Sequence, residues 1–286
     1  MIPAAFDYVR AGSIDEALEF VGRPGAKFIA GGQSLLPLMK LRLARPETLV
    51  DIGGLAELRG VRELPGGRLS IGALTTYAEL QDSPANHYGL LRDALPDIGD
   101  VQVRNRGTVG GAVAHCDPAS DLPACLLALD AELVARSSRG ERTMGVNGFF
   151  EGAFATALGD DELLTEIRLP APRDDAGSAF MTLSQPASGY SMVGVAVVVF
   201  RARSGGPIDG ANVALTGVGE APYRATAVEG ALAGSDGSAE SLAAAAAHAT
   251  DGVRVNADIH ADAAYRTAMA AVYTRRAIEA ALGRIA

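Results

Sequence analysis

Val103-Arg-Asn-Arg-Gly-Thr108-Val-Gly110-Gly111-Ala-Val-Ala-His-Cys-Asp117-Pro-Ala-Ser-Asp121 sets a glycine pair among small and β-branched residues. Two arginines, Arg104 and Arg106, precede the pair, and two aspartates, Asp117 and Asp121, follow it. A second pair stands earlier, in Phe28-Ile-Ala30-Gly31-Gly32-Gln33-Ser34-Leu35. Backbone without a Cβ can approach an anion closely, and successive N–H groups at a turn make a nest for phosphate oxygens. The earlier stretch reads as strand, Gly-Gly turn and helix, with Ser34 as the helix cap. A helix N-terminus adds unpaired N–H groups and the positive end of the dipole. Taken alone, each pair is equally well an ordinary turn. Both follow an extended or β-prone segment and both have a hydroxyl beside them, Ser34 and Thr108. That favours a joint task, in which two small-residue loops face each other across one nucleotide diphosphate.

The rival nucleotide signatures are missing. The chain holds no G-x-x-x-x-G-K-[ST] and no G-x-G-x-x-G at a strand–helix junction with an acidic residue following. Other residues near the pairs keep two readings. Asp121 serves either as the cap of a helix from Leu122 or as a contact to a cofactor hydroxyl. Arg104 and Arg106 either neutralise phosphate or a partner's carboxylates, or stand solvated. Tyr190 is a rim tyrosine or a ring that covers a cofactor face. His115 and Cys116 lack a base–orienter partner, so no catalytic residue is assigned. His87, His248 and His260 have no ligand spacing, so no metal site is assigned either.

A net charge of −9 disfavours nucleic acid, whose phosphates need clustered Lys and Arg. It does not disfavour one diphosphate, because exposed charges are screened beyond roughly 8 Å and hydrogen bonds to a charged acceptor contribute roughly 1.5–3 kcal/mol each. The two cysteines, Cys116 and Cys125, form no C-x-x-C, so zinc and iron–sulfur ligand sets are lacking. The apolar run Met192–Phe200 is far short of the ~20 residues that span a bilayer. MIPAAFDYVR has no basic region followed by an apolar stretch. A cytoplasmic protein is expected.

Around the two pairs the chain reads as follows. Ser13-Ile-Asp-Glu16 and Thr76-Tyr-Ala-Glu79 are capping boxes. Strands are expected over 27–30, 48–52 and 69–73, with a turn at Pro65-Gly66-Gly67. The first 55 residues make a small βαβ-like unit. A helical stretch over 88–98 leads into the Val103–Asp121 segment. A helix follows from about Leu122 to Leu129, then strands over 131–137, 143–146 and 164–169. The Pro-, Gly- and charge-rich stretch 170–177 marks a domain boundary. Beyond it, 191–203 and 211–218 read as long strands whose near-continuous apolar character implies packing on both faces. Ala-rich helices follow, over about 239–250 and 261–282.

The motifs Ala30-Gly-Gly-Gln-Ser-Leu-Leu-Pro-Leu-Met-Lys-Leu-Arg42, Ile71-Gly-Ala-Leu-Thr75, Val103–Gly111, Asp117-Pro-Ala-Ser-Asp121, Gln185-Pro-Ala-Ser-Gly189, Val193-Gly-Val-Ala-Val197 and Asp258-Ile-His260 with Tyr265-Arg266 span nearly the whole chain. In them the chain resembles the FAD-binding medium subunits of the molybdenum hydroxylases, the xanthine dehydrogenase family, and most closely their carbon monoxide dehydrogenase branch. The resemblance implies an α+β architecture: a two-part FAD-binding domain of the vanillyl-alcohol-oxidase (PCMH) type, then a C-terminal domain of a three-stranded antiparallel sheet with helices. The expected division is 1–172, with subdomains of about 1–55 and 56–172, and 178–286. Carried over position by position, the resemblance implies FAD contacts from Ala30, Gly31, Gly32, Gln33, Ser34 and Leu35 on one side and Thr108, Gly110 and Gly111 on the other. Asp117, Asp121, Leu164, Gly72 and Tyr190 complete the expected set. Xanthine-oxidase-type relatives carry a Lys near Ser184, and that charge is missing here.

The resemblance further implies a small subunit with two [2Fe–2S] clusters and a large subunit with the molybdenum–pterin site, assembled as a dimer of heterotrimers. Electrons pass from the clusters to FAD and on to an external acceptor such as a membrane quinone, which places the complex at the inner face of the membrane. Two alternatives stay open: a medium subunit for purine, N-heterocycle or aldehyde oxidation, and a flavin-free scaffold subunit.

Overall fold

The computed structural model describes residues 2–202 and 205–285. The first layer is a small parallel sheet. β1 (Asp7–Arg10), α1 (Ile14–Val21), β2 (Ala26–Ile29), α2 (Leu35–Lys40) and β3 (Thr48–Asp51) place β3 between β1 and β2. Ser13 caps α1 by accepting from the Glu16 N–H, while the Glu16 carboxylate accepts from the Gly12 N–H at 2.7 Å, one residue before the position a standard capping box uses. β1 was not anticipated: Asp7-Tyr-Val-Arg10 is exposed along most of its length and gives no alternation to read.

The second layer comprises β4 (Val61–Leu64), β5 (Arg68–Gly72), α3 (Tyr77–Gln81), α4 (Gly89–Ala94), α5 (Val101–Arg104), α6 (Val109–His115), α7 (Asp121–Ala128), β6 (Glu132–Ser137), β7 (Gly140–Gly145), β8 (Phe150–Gly152), β9 (Ala155–Thr156) and β10 (Leu163–Leu169). Five strands form an antiparallel sheet in the order β4-β5-β10-β6-β7, and β8 and β9 make a separate hairpin. At α3 both arms of the Thr76–Glu79 capping box are present. α7 is buried all round, as expected of a helix with no polar face.

The third layer comprises β11 (Ala176–Ser184), β12 (Ser191–Phe200), β13 (Gly210–Thr216), β14 (Tyr223–Arg224), α8 (Thr226–Leu232), α9 (Ala239–Ala246) and α10 (Ala263–Leu282). The antiparallel sheet has four strands, β11-β12-β13-β14, where three were expected; the fourth is a two-residue pairing of Tyr223 and Arg224 with Leu215 and Ala214. Arg203, the last residue of the strand expected over 191–203, lies outside the described residues. β11 gives no strand signal in the sequence, because its mix of small and polar residues has no period of its own. Its pairing with β12, from Ala176↔Phe200 to Ser184↔Ser191, makes it one.

The two-faced burial expected of the long strands is present and alternates with the pleat. Val193, Val195, Val197 and Val199 join the core under α8, α9 and α10. Ala196 and Val198 join the core that contains α4 and α7. The Pro-rich boundary in the sequence is therefore no gap in space. Two polar staples hold the layers together. Asp93 on α4 accepts from the Phe180 N–H and from Arg284, which also donates to the Ser178 carbonyl. Arg224 donates to Asp130 (2.7 Å), the Leu127 carbonyl (3.2 Å), Asn212 Oδ1 (2.7 Å) and Glu229 (2.6 Å) at the C-terminal end of α7. Its side chain and that of Glu229 are largely buried. Arg224→Ala strands those acceptors, and urea denaturation should show a loss of about 3 kcal/mol, the usual result of removing one partner from a buried ion pair.

Candidate functional site

The first glycine pair meets the segment that precedes the second. A Cβ on Gly31 would lie 2.1 Å from the Arg106 carbonyl oxygen and 3.0 Å from the Gly107 Cα, so the first loop is packed backbone to backbone on the segment that leads into α6. In the first loop Gly32 has φ +75°, the left-handed region where a side chain is strained. Among the described residues, the N–H groups of Gly31, Gly32, Gln33, Ser34 and Leu35 find no acceptor; the first amide of this turn to be used is that of Leu36, which donates to the Gly32 carbonyl at 3.0 Å. Ser34 stands at the cap of α2, yet its hydroxyl makes no capping bond. The Gln33 amide donates to the Gly31 carbonyl at 3.3 Å and braces the turn. This is a run of unsatisfied donors at a helix start, the arrangement that favours an anion.

The second pair differs from its expected form. Gly110 and Gly111 are not in an open loop but in the first turn of α6, with Thr108 as N-cap. Their amides are already used. Val109 and Gly110 donate to the carbonyls of Thr75 and Ala73, at 2.9 and 2.8 Å. Gly111 donates to Thr108 Oγ1 at 3.1 Å. Glycine inside a helix is unfavourable by about 1 kcal/mol relative to alanine, and packing explains why Gly110 is kept: a Cβ there would lie 2.5 Å from that of Ala73. What this side still offers an anion is the Thr108 N–H, the Thr108 hydroxyl hydrogen and Arg106, which is exposed and forms no ion pair among the described residues. The pair is therefore asymmetric. The first loop leaves amides free, and the second leaves a hydroxyl free and forms the wall against which the first is set. Arg104 is engaged elsewhere, donating to the carbonyls of Ile98 and Gly99.

Gly72 immediately precedes Ala73, on which Gly110 packs. A Cβ on Gly72 would lie 2.4 Å from the Leu58 carbonyl oxygen, so it serves close packing of β5 on the 58–59 segment. Its open side faces a cleft of about 520 Å³ whose wall includes Arg62, Thr165 and Glu166 and none of the two glycine loops. Leu164 is buried in the core it shares with Val109 and Val113 of α6.

Beyond α6 the chain turns through Cys116 in the left-handed region, φ 50°. Asp117 then accepts from the Ala119 N–H in a short turn. Thr216 donates to the carbonyls of Pro118 and Ser120, and the Gly217 N–H donates to that of Pro118, so the end of β13 latches this turn in place. Asp121 is the first residue of α7 and is not its cap. Its side chain leaves its own helix and accepts from Ser191 Oγ across the layer boundary at 2.5 Å. Burial pushes the Asp121 carboxyl up to about 7; the Ser191 hydrogen bond opposes this, and the negative charges of Asp97 and Asp117 add to it. Tyr77, whose ring packs on Gly107, has its phenol raised by burial and then by Asp121 and Tyr190. Tyr190 is 53% exposed, at the end of a hairpin closed by its carbonyl accepting from Gln185, and its phenol is raised by burial and by Asp117 and Asp121. The loop pair, Tyr77, Asp121 and Tyr190 thus form one connected region. Tyr77, Ser191 and Thr216 were not singled out by sequence. The capping box of α3 gives no sign of the Tyr77 ring's surroundings, and Ser191 and Thr216 are single hydroxyls at the ends of apolar strands.

His115 and Cys116 carry no nucleophile geometry. The His115 ring lies against Phe154, and the Cys116 thiol donates to the Gly152 carbonyl and is pushed by burial up to about 11. Among the described residues no cluster of His, Cys, Asp and Glu could hold a metal ion.

Residues 4–172 match the family model for the FAD-binding domain in molybdopterin dehydrogenase, and residues 178–281 match that for the CO dehydrogenase flavoprotein C-terminal domain. The chain belongs to the FAD-binding molybdopterin dehydrogenase family. It is 40% identical to the carbon monoxide dehydrogenase medium chain of Hydrogenophaga pseudoflava over all of both chains. It is 36% identical to subunit alpha of the 6-hydroxypseudooxynicotine dehydrogenase complex of Paenarthrobacter nicotinovorans, over 99% of this chain and 97% of that one. Among solved structures it resembles carbon monoxide dehydrogenase from Hydrogenophaga pseudoflava lacking the Mo-pyranopterin moiety of the molybdenum cofactor. That match has a TM-score of 0.95 and 42% identity, with both chains fully covered. FAD is thus the cofactor of a family of oxidoreductase subunits, and the free donors at the start of α2 suit its diphosphate. No helix among the described residues is long and apolar enough to cross a membrane.

Proposed function

We propose that this chain holds FAD as the electron-transferring medium subunit of a molybdenum-containing dehydrogenase, with carbon monoxide as the substrate of the complex. The observation that carries the reading is the backbone contact of Gly31 with Arg106 and Gly107 beside a run of unused amides. Ala30 to Leu35 hold one side of the diphosphate through backbone N–H groups, and Thr108 holds the other through its hydroxyl. Gly110 acts by letting α6 start close to Ala73, and Gly111 by leaving room for the Thr108 hydroxyl. Leu164 supports α6 through the core they share, and Asp117, Asp121 and Tyr190 would line the polar side of the bound flavin. Gly72 acts through packing, one residue before Ala73. When bound, FAD supplies a centre that takes up electrons singly and gives them up in pairs; the protein contributes binding, orientation and electrostatics. No acid or base of this chain is required for electron transfer.

The partners in this reading are a small subunit with [2Fe–2S] clusters and a large subunit with the molybdenum–pterin site, as a dimer of heterotrimers. Electrons arrive from the clusters and leave to an external acceptor such as quinone, on the cytoplasmic side. The chain divides functionally at about 173–177, with 1–172 for FAD and 178–286 covering the site. Full-length similarity to a carbon monoxide dehydrogenase chain supports the choice of substrate. Similarity to a subunit of a 6-hydroxypseudooxynicotine dehydrogenase supports a second reading, in which the same subunit serves an N-heterocycle hydroxylase. Equilibrium titration of FAD into the flavin-free chain tests the core of the proposal. One FAD per chain is expected, with a flavin absorption band that survives gel filtration; a chain that stays colourless is instead a scaffold subunit.

A further inference from the structure

Asp121 is 7% exposed and Ser191 only 2%, yet hydroxyls connect this carboxylate to the outside. Asp121 Oδ1 lies 2.5 Å from Ser191 Oγ, Ser191 Oγ lies 2.5 Å from Thr182 Oγ1, and Thr182 Oγ1 lies 3.4 Å from Ser184 Oγ. Thr182 and Ser184 are half-buried, near the hairpin mouth. The alignment depends on an irregularity of the sheet. Leu183 pairs with Val193, but the register then skips Met192, so Ser184 pairs with Ser191. With regular pairing Ser184 would oppose Met192, and the Ser191 side chain would point to the other face. The skip puts three hydroxyls on one face, in line with the carboxylate.

We propose that Ser191 and Thr182 form a proton path between Asp121 and the surface, with Ser184 as its outer hydroxyl. An ionised carboxylate can only accept, so Ser191 donates to Asp121, Thr182 to Ser191 and Ser184 to Thr182. A proton arriving at the Ser184 oxygen is passed inward. At each oxygen one O–H bond forms and one breaks, and the sequence ends with a proton on Asp121 and every hydroxyl reversed. No electron moves. The groups around the carboxylate are Asp97 and Asp117, Tyr77 from α3, Tyr190 from the hairpin and Cys125 on its own helix. Burial brings the Asp121 carboxyl up to about 7, so both protonation states are populated near neutral pH. A redox cofactor that gains protons with its electrons has use for such a group at its edge; that use rests on the flavin reading, whereas the path itself does not.

The test is a pH jump on the full chain, with and without FAD, from about pH 9 to about pH 6, either side of the Asp121 midpoint, followed by infrared absorption of protonated carboxyl. The wild type should develop a band that Asp121→Asn lacks. Thr182→Val should slow its appearance about a hundredfold, the low end of what a positioned proton carrier contributes, without moving its midpoint, and Thr182→Ser should restore the rate. Ser191→Ala should slow it as well and raise the midpoint by about one pH unit, since a hydrogen bond to the charged form is lost. Thr182→Val protonating as fast as wild type, or a spectrum unchanged in Asp121→Asn, overturns the path. A chain that shows the band but binds no FAD overturns the flavin reading and leaves the path standing.

Discussion

Gly31→Ala should give a chain that folds but binds FAD about a hundredfold more weakly than wild type, an effect of about 3 kcal/mol. The added methyl would lie 2.1 Å from the Arg106 carbonyl oxygen, with backbone on both sides and no flexible side chain to move away. The first loop must therefore lift off the second. Overpacking of this kind is unfavourable by about 1–3 kcal/mol, and each lost hydrogen bond to a charged phosphate adds roughly 1.5–3 kcal/mol. Gly111→Ala is the comparison. Its methyl would meet the Thr108 hydroxyl oxygen at 2.7 Å, and a rotation about χ1 relieves that contact while withdrawing the hydroxyl from the Gly111 N–H and from the diphosphate. Its affinity should fall about tenfold, the loss of one hydrogen bond to a charged group, while the contact between the loops is kept. Calorimetric titration with FAD, alongside circular dichroism to verify folding, separates the two variants. Equal losses at both glycines, or none at Gly31, would show that the contact between the loops does not form the binding site.

Asp121→Asn should make the flavin-free chain more stable at pH 8 by up to about 4 kcal/mol and remove most of its pH dependence near neutrality. Burial raises the folded-state carboxyl from 3.8 to about 7, so the folded chain holds this proton more tightly than the unfolded chain does. The associated stabilisation is complete below about pH 4 and is lost as pH rises through about 7. Above that point the folded chain carries a buried carboxylate whose nearest donor is one hydroxyl. Asparagine keeps an acceptor for Ser191 and carries no charge. Urea denaturation at pH 5 and pH 8 measures both effects. A wild-type curve as flat as that of Asp121→Asn over this interval would mean that the carboxylate is solvated after all.

The local rules that sequence follows were obeyed closely. Ser13 and Thr76 both cap helices, with both arms of the box formed at Thr76, α7 starts one residue before Leu122, and the apolar strands β12 and β13 are covered on both faces. Motif spacing was enough for the family, because those motifs run through nearly the whole chain. Three features were decided by tertiary contact. Gly110-Gly111 reads as a turn by propensity, but Thr75 and Ala73 accept from Val109 and Gly110, and Thr108 Oγ1 accepts from Gly111, which makes this stretch a helix start. β11 has no pattern of its own and exists through the strand it pairs with. Ser191 is one hydroxyl at a strand end, and only the folded sheet sets it against Asp121, 70 residues earlier. The sequence by itself determined where the capped helices begin, which strands are buried on both faces and which family the chain joins, because these depend on residue types a few positions apart. Which donors stay free for a ligand, and which carboxylate loses its water, depend on groups far apart along the chain, and only the tertiary structure decided them.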